Sequence, residues 1–310
     1  MADPLRKTLT GLRALGSDHL LGAAEIAGQA VALLERYCRE ERSDDLGLRY
    51  ALAELAETTL SVQPSMAPLL NLANRIQLAA ERNSKPLRHL QLELAKLRRQ
   101  QKQAVSRIAR LFASRLRSRP ATVLTYSYSS TVLAALHAVR RGLARVLLSE
   151  GRPMYEGRLM AERLAARGTP VTLFLDAALP AQVESADVVM VGADAVLAGR
   201  YFTKVGTGLF QVEARRAHKP FFVLADSSKF LPPALETFHR IEDRPSEEVW
   251  QDAPEGITRV NRNFESIPLG DGVMLLAEWG ELSAVRLRAW FRKQPVARRW
   301  KETAAAREPK

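Results

Sequence analysis

Residues 120–151 read PATVLTYSYSSTVLAALHAVRRGLARVLLSEG. Pro120 closes the segment before it. TVLTYS (122–127) is a short β-rich run, Ser130–Arg141 is apolar at helical spacing, and RVLLS (145–149) is a second β-rich run. Strand, helix and strand in this order predict a parallel βαβ unit. The alternation continues downstream. VTLFL (171–175), VVMVG (188–192), FFVLA (221–225) and VMLLA (273–277) predict strands, and Gly157–Arg167 and Gly208–Ala217 predict helices. The strand runs are continuously apolar, as expected of strands covered on both faces. The fold class expected is therefore α/β, a doubly wound, Rossmann-like domain with a mostly parallel sheet.

Upstream the period changes from two to three and four. AAEIAGQAVALLERYCRE (23–40) and DDLGLRYALAELAETTLSV (44–62) place apolar residues on one helical face. Ser43, Asp44 and Asp45 suit a helix start. Pro64 and Pro68 punctuate VQPSMAPLLNLANRIQLAA (62–80), so a helix is expected from near Met66. A long basic helix is expected from Pro86 to Ser118. The predicted division is a helical domain over 1–119, a Rossmann-like ligand-binding domain over 120–285, and a basic, frayed appendage over 286–310.

Composition narrows the class. Of 310 residues, 46% are hydrophobic and 26% charged, the proportions of a globular chain rather than a disordered one. No window approaches the roughly 18 apolar residues of a spanning helix. MADPLRKTLTGLRALG at the N-terminus lacks a secretory signal pattern. The expectation is a cytoplasmic protein with no membrane partner. A single cysteine, Cys38, excludes an internal disulfide, and the five histidines (19, 89, 137, 218, 239) show no metal-ligand spacing. No metal and no cofactor is expected. Cys38, in LLERYCRE, reads as a packed or surface thiol.

The net charge is +12, and no acidic residue occurs from Leu94 to Ser149. A solvated helix face explains this window. Nucleic-acid binding is compatible with it but not favoured, because no aromatic residues interleave to stack on bases.

In a doubly wound sheet, ligands bind beyond the carboxyl ends of the strands. Ser127, Ser129, Ser130 and Thr131 follow the first strand. Their hydroxyls and the free N–H groups of the next helix suit either a phosphate or a plain N-cap. Arg152, after the second strand, suits a phosphate or a surface pair with a neighbouring Glu. Asp194, after the fourth, is a candidate general acid or base, or a turn cap. Lys204-Val205-Gly206-Thr207-Gly208 opens a further helix with close backbone approach, but it is not a P-loop because its Lys precedes the glycines. Lys229 follows the fifth strand. The assumed sheet brings Ser129, Arg152, Asp194, Lys204 and Lys229 to one edge, a lone carboxylate ringed by cations.

Six segments in order, Thr125–Ser130 (TYSYSS), Glu150–Pro153 (EGRP), Val171–Ala178 (VTLFLDAA), Val191–Asp194 (VGAD), Lys204–Thr207 (KVGT) and Ser228–Phe230 (SKF), resemble one superfamily. It holds the regulatory alpha, beta and delta subunits of translation initiation factor 2B, ribose-1,5-bisphosphate isomerase and methylthioribose-1-phosphate isomerase. Gln63–Met66 (QPSM) and Asn261–Pro268 (NRNFESIP) resemble its flanking motifs. The resemblance implies a homodimer or higher oligomer and, in the isomerases, conversion of an aldose 1-phosphate to a ketose 1-phosphate. It implies a proton-transfer pair of Cys and Asp, here Ser127 and Asp194, with Ser129, Ser130, Thr131, Arg152, Thr203, Lys204 and Lys229 as binding residues. Thr203 stands where an Asn usually accompanies the lysine, and Leu21 and Gln63 where arginines are expected. A thiol has an ordinary pKa of about 8.5, whereas a serine hydroxyl needs an adjacent base. The expectation is a protein that binds a phosphorylated sugar or nucleotide without full isomerase activity. The alternatives are an isomerase using Asp194 and a translation-related protein- or RNA-interaction module.

Overall fold

The computed structural model describes residues 3–17, 21–41, 45–82, 84–116 and 120–307. Five helices come first: α1 (Pro4–Ala14), α2 (Ala23–Glu40), α3 (Asp45–Val62), α4 (Ala67–Ala80) and α5 (Pro86–Ala113). Eleven of the fourteen residues of α4 are buried, so this helix is the centre of the bundle rather than a surface element. On α2 the buried set is Ala23, Ile26, Ala30, Val31, Leu34, Tyr37 and Cys38, together with Ala24. Ala27 and Leu33 pack beside them, and the polar residues of the helix face away. Burial holds the Cys38 thiol up at about 12, so it is a packed thiol and not a reactive one. Helix α5 stops at Ala113, earlier than expected, where the Ser114 N–H closes onto the Arg110 carbonyl. Ser118 lies outside the described residues, as do Ser43 and Asp44 of the expected α3 start.

All six strands read from the sequence form, and all six lie in one sheet. They are β1 (Ala121–Leu124), β2 (Leu143–Ser149), β3 (Val171–Phe174), β4 (Val188–Gly192), β7 (Phe221–Leu224) and β9 (Val273–Ala277). Between them run α6 (Ser130–Val139), α7 (Glu156–Ala165) and α8 (Thr207–Arg216). The six pair in parallel in the order β3-β2-β1-β4-β7-β9, and β10 (Gly280–Glu281) adds an antiparallel edge. Counting only the parallel strands, this is the order 3-2-1-4-5-6 of the dinucleotide-binding fold. Its connections reverse direction between β1 and β4, where a crevice opens at the carboxyl edge.

A second sheet escapes the sequence reading. β5 (Ala195–Val196), β6 (Arg200–Lys204) and β8 (Phe264–Pro268) are antiparallel, with Thr203 opposite Glu265 and Lys204 opposite Phe264. Ala195, Leu197 and Phe202 from this small sheet join the core of the helical bundle. The bundle is thereby fixed over the carboxyl edge of the large sheet.

The segment expected to fray is folded. After the short α9 (Pro233–Glu236), α10 (Ala284–Arg292) and α11 (Arg298–Arg307) close the described chain. Val296, Ala297 and Trp300 are buried against the bundle. The Asn74 amide donates to the Pro295 carbonyl (2.9 Å), and its oxygen accepts from the Ala297 N–H (2.9 Å). Among the described residues no helix is long and apolar enough to cross a membrane.

Candidate functional site

At the crevice between β1 and β4 lies a cavity of about 60 Å³. The segments that follow β1, β2, β4 and β7 all contribute to its wall. Beyond β1 the chain turns through Ser127, whose φ of 62° is the left-handed region that a non-glycine residue occupies at a cost. Ser129 then caps α6, its hydroxyl accepting from the Val132 N–H. Ser129 therefore acts as a cap and also lines the cavity, beside the free N–H groups of the helix start. Gly192 at the end of β4 lets this turn approach, because a Cβ there would overlap the Ser129 side chain.

Asp194 follows. Its backbone N–H donates to the Phe202 carbonyl (2.8 Å), and its carbonyl accepts from Ala67 N–H at the start of α4 (3.1 Å). The carboxyl lines the cavity together with Lys204 and Lys229, both buried. Desolvation pushes the Asp194 carboxyl up, while Lys229 and then Lys204 pull against that rise. The result is a carboxyl suited to hold or release a proton.

The cations come from three directions. Lys204 ends β6, and Thr203 before it donates its hydroxyl to the Gly192 carbonyl (3.0 Å), tying the small sheet to the large one. Lys229 ends the turn Ser227–Lys229 that follows β7. The third is Arg244, which the sequence reading missed. It reaches the cavity from the long connection before β8 and donates to Gln63 Oε1 (2.7 Å). Gln63, where the resemblance leads one to expect an arginine, thus holds one from elsewhere in the chain. Burial pulls the Arg244 guanidinium down, while Glu248, Glu242 and Asp194 counter that effect.

A second carboxyl was also missed. Glu156 opens α7 and is buried, with Lys204 Nζ 2.5 Å from Oε1. The Ser127 hydroxyl donates to the same oxygen at 3.1 Å. Its other oxygen, Oε2, is buried without a hydrogen-bond partner among the described residues. The nearby Gly157 permits this, since a Cβ there would overlap the Ser149 carbonyl. The cavity wall thus carries three cations and two carboxyls.

Of the five side chains expected to converge, Ser129, Asp194, Lys204 and Lys229 do so. Ser127, Ser130 and Thr203 line the cavity with them. Arg152 does not. Its exposed guanidinium donates to the Tyr155 hydroxyl (2.6 Å) and the Val249 carbonyl (3.1 Å), held there by the ring of Tyr155. Of the neighbouring glutamates, Glu150 pairs with Arg158 (2.7 Å) and Glu156 with Lys204. Thr131 also stays outside, buried within α6.

A cation-rich cavity at the switch point of a parallel sheet, roofed by a helical bundle, is a Rossmann-like arrangement. Residues 19–269 match the model of the Initiation factor 2 subunit family, and the chain belongs to that family. It is 30% identical over 264 residues to the ribose 1,5-bisphosphate isomerase of Archaeoglobus fulgidus, covering 83% of this chain and 82% of that protein. It is 32% identical over 235 residues to a putative translation initiation factor eIF-2B subunit 2-like protein of Pyrococcus furiosus, covering 72% and 79%. The crystal structure of the Pyrococcus horikoshii translation initiation factor eIF-2B superposes with a TM-score of 0.76 at 27% identity, over 89% of this chain and 96% of that one. The 5-methylthioribose 1-phosphate isomerase of the same organism shares the fold, with a TM-score of 0.71 at 22% identity over 93% and 88%.

Proposed function

We propose that the chain binds a phosphorylated sugar or nucleotide in the Asp194 cavity, with its anionic group between Lys204, Lys229 and the start of α6. One observation carries this reading: an enclosed acid facing two buried lysines at the switch point of the sheet. A phosphate there finds both cations and free helix N–H groups. The ribose 1,5-bisphosphate isomerase among the relatives supports a sugar phosphate.

The cavity is well below the roughly 300–1,000 Å³ of ordinary ligand pockets. A whole sugar phosphate therefore enters only if the lining, which includes the Leu21–Ala24 segment, moves outward.

The second reading is turnover as an aldose–ketose isomerase. The Ser127–Glu156 hydrogen bond favours it, because a carboxylate is the base that a serine hydroxyl needs. Asp194 then exchanges one proton with the substrate, and Ser127, backed by Glu156, orients or exchanges the other.

Thermal shift with ribose 1,5-bisphosphate, methylthioribose 1-phosphate, ribose 5-phosphate and AMP tests binding. A ligand at 100 times its Kd adds about 2.7 kcal/mol of stability. Product formation measured on the same samples separates binder from enzyme. Absence of any shift across the panel overturns the binding reading. A shift without product retains the binder and removes the enzyme.

A further inference from the structure

The Asp194 cavity leaves the acid-free stretch of the sequence without a use. Twelve of the 46 Lys and Arg residues lie between Leu94 and Ser149, and the other 34 balance the 34 Asp and Glu of the chain. The net charge of +12 is thus carried by this stretch alone. Folding brings five of the twelve, Arg99, Lys102, Arg110, Arg140 and Arg141, to one face. In the C-terminal half of α5, Ile108, Ala109 and Phe112 turn inward and join the core beneath α6. Arg99, Lys102, Gln103, Ser106 and Arg110 recur at three- and four-residue spacing on the exposed side. Arg99 and Arg110 stand about 16 Å apart along the axis. Arg140 and Arg141 follow α6 and line a hollow with Ala113 of α5 and Ala138 of α6. On the other side of α6, Arg167, just beyond α7, lines a groove with His137 and Ala138. Burial, then Arg167 and Arg140, hold the His137 imidazole down, so cations from both sides act on one point. None of these six cations has a carboxylate partner among the described residues, whereas Arg98 and Arg115 of the same stretch pair with Glu35 and Glu281. The one exposed acid of α7, Glu162, lies outside the groove.

The neutral residues between the cations decide the partner. They are alanine, serine and glutamine, and no large apolar side chain is exposed on α5 beyond Leu92, on α6 or on α7. A membrane surface takes an apolar anchor as well as charge. A protein interface is centred on large side chains that fill pockets. A single nucleic-acid strand stacks its bases on aromatic rings, which is why the sequence alone disfavours nucleic acid. The phosphates of a double helix need only cations and polar donors. The three helices lie on the sheet with their apolar faces in one core, so none of them projects to enter a major groove. An RNA duplex presents a wide, shallow minor groove, met through phosphates and 2′-hydroxyls. Gln103 and Ser106, among the cations of α5, suit those hydroxyls.

We infer that the face formed by α5, α6 and the end of α7 binds double-stranded RNA without regard to its sequence. Arg99, Lys102, Arg110, Arg140, Arg141 and Arg167 meet the phosphates. The inference is independent of the ligand proposed for the Asp194 cavity, since none of these six side chains lines it.

Fluorescence anisotropy of the full chain with a labelled RNA duplex of about 20 base pairs tests it. Saturable binding is expected, weakening steeply between about 50 and about 200 mM salt. Lys102→Glu combined with Arg110→Glu, both at exposed positions of α5, weakens it by about tenfold or more and lowers the slope of log affinity against log salt by about two. Lys7→Glu combined with Arg13→Glu, the same change of charge at exposed positions of α1, leaves the affinity within about twofold of the wild type. Absence of duplex binding overturns the inference. So does equal weakening by the α1 pair, equal affinity for a DNA duplex of the same sequence, or tighter binding of single-stranded RNA. Displacement of the duplex by polyglutamate at equal charge concentration also overturns it, and assigns the face to an acidic protein. Circular dichroism of each variant confirms that a loss of binding is not a loss of fold.

Discussion

A serine hydroxyl gives up its proton only when a base stands beside it, and at Ser127 the neighbouring base is Glu156. Glu156 is itself paired with Lys204, a cation that also lines the cavity. Replacing the hydroxyl with a thiol lowers the ordinary pKa to about 8.5. Ser127→Cys is therefore expected to raise turnover of ribose 1,5-bisphosphate above the wild-type level in a product assay. An unchanged rate means the thiol was not the missing element. Asp194 gives a prediction in pH. Its folded value lies above the ordinary 3.8. The stability it contributes is complete below the unfolded value and is lost as pH rises through the folded one. Asp194→Asn removes that loss. Melting curves from about pH 4 to about pH 8 should show the variant gaining on the wild type as pH rises. Glu156 and Arg244 were not legible in the sequence as site residues. Glu156 sits in the EGRPMYEG stretch, just before the helix expected from Gly157, while Arg244 lies in a loop without a motif. What makes each a site residue is a partner far away in the chain, Ser127 for one and Gln63 for the other.

The large sheet was legible because its central strands β4 and β7 are continuously apolar and buried along their whole length, the pattern that two solvent-excluded faces impose. The small sheet was not. β5 has two residues, and β6 (RYFTK) and β8 (FESIP) are short and mix charge with apolar residues. Yet β6 delivers Thr203 and Lys204 to the site. Two predictions belong to this scale. In the first turn of α7, Gly157 is pressed on the Ser149 carbonyl. Gly157→Ala must push α7 off β2 and is expected to cost about 1–3 kcal/mol in a denaturant titration. The small sheet packs Phe202 on His239, with ring centroids 4.2 Å apart, and His239 Nε2 meets the Ser65 carbonyl at 2.9 Å. Burial pulls this imidazole from 6.5 to about 4. The stability it contributes is present above 6.5 and is lost as pH falls through about 4. His239→Phe should flatten the acid side of the melting profile within that window. An acid limb identical to the wild type would contradict the assignment.

At the scale of the molecule, the C-terminal segment returns to the bundle it was expected to trail behind. Nine basic residues over 286–310 suggest a solvated tail, but charge on exposed faces does not prevent burial of the residues between them. Trp300 and Ala297 supply the apolar contact, and Asn74 supplies two backbone hydrogen bonds. Asn74→Ala leaves both backbone groups without this partner and is expected to cost about 1–3 kcal/mol for each one left unsatisfied. Proteolysis after Arg298 or Arg299 should accelerate accordingly. The bundle and the two sheets are one construction around the crevice: the sheet supplies Asp194 and the turn at Ser127, the small sheet Lys204, and the helical layer the roof over them.

A crystal of this protein soaked with ribose 1,5-bisphosphate examines that construction at its centre. Difference density for a phosphate group between Lys204, Lys229 and the start of α6, with the sugar reaching toward Asp194, is the expected result. Density for the ligand at another place on the surface, with the Asp194 cavity holding only water, would contradict the account.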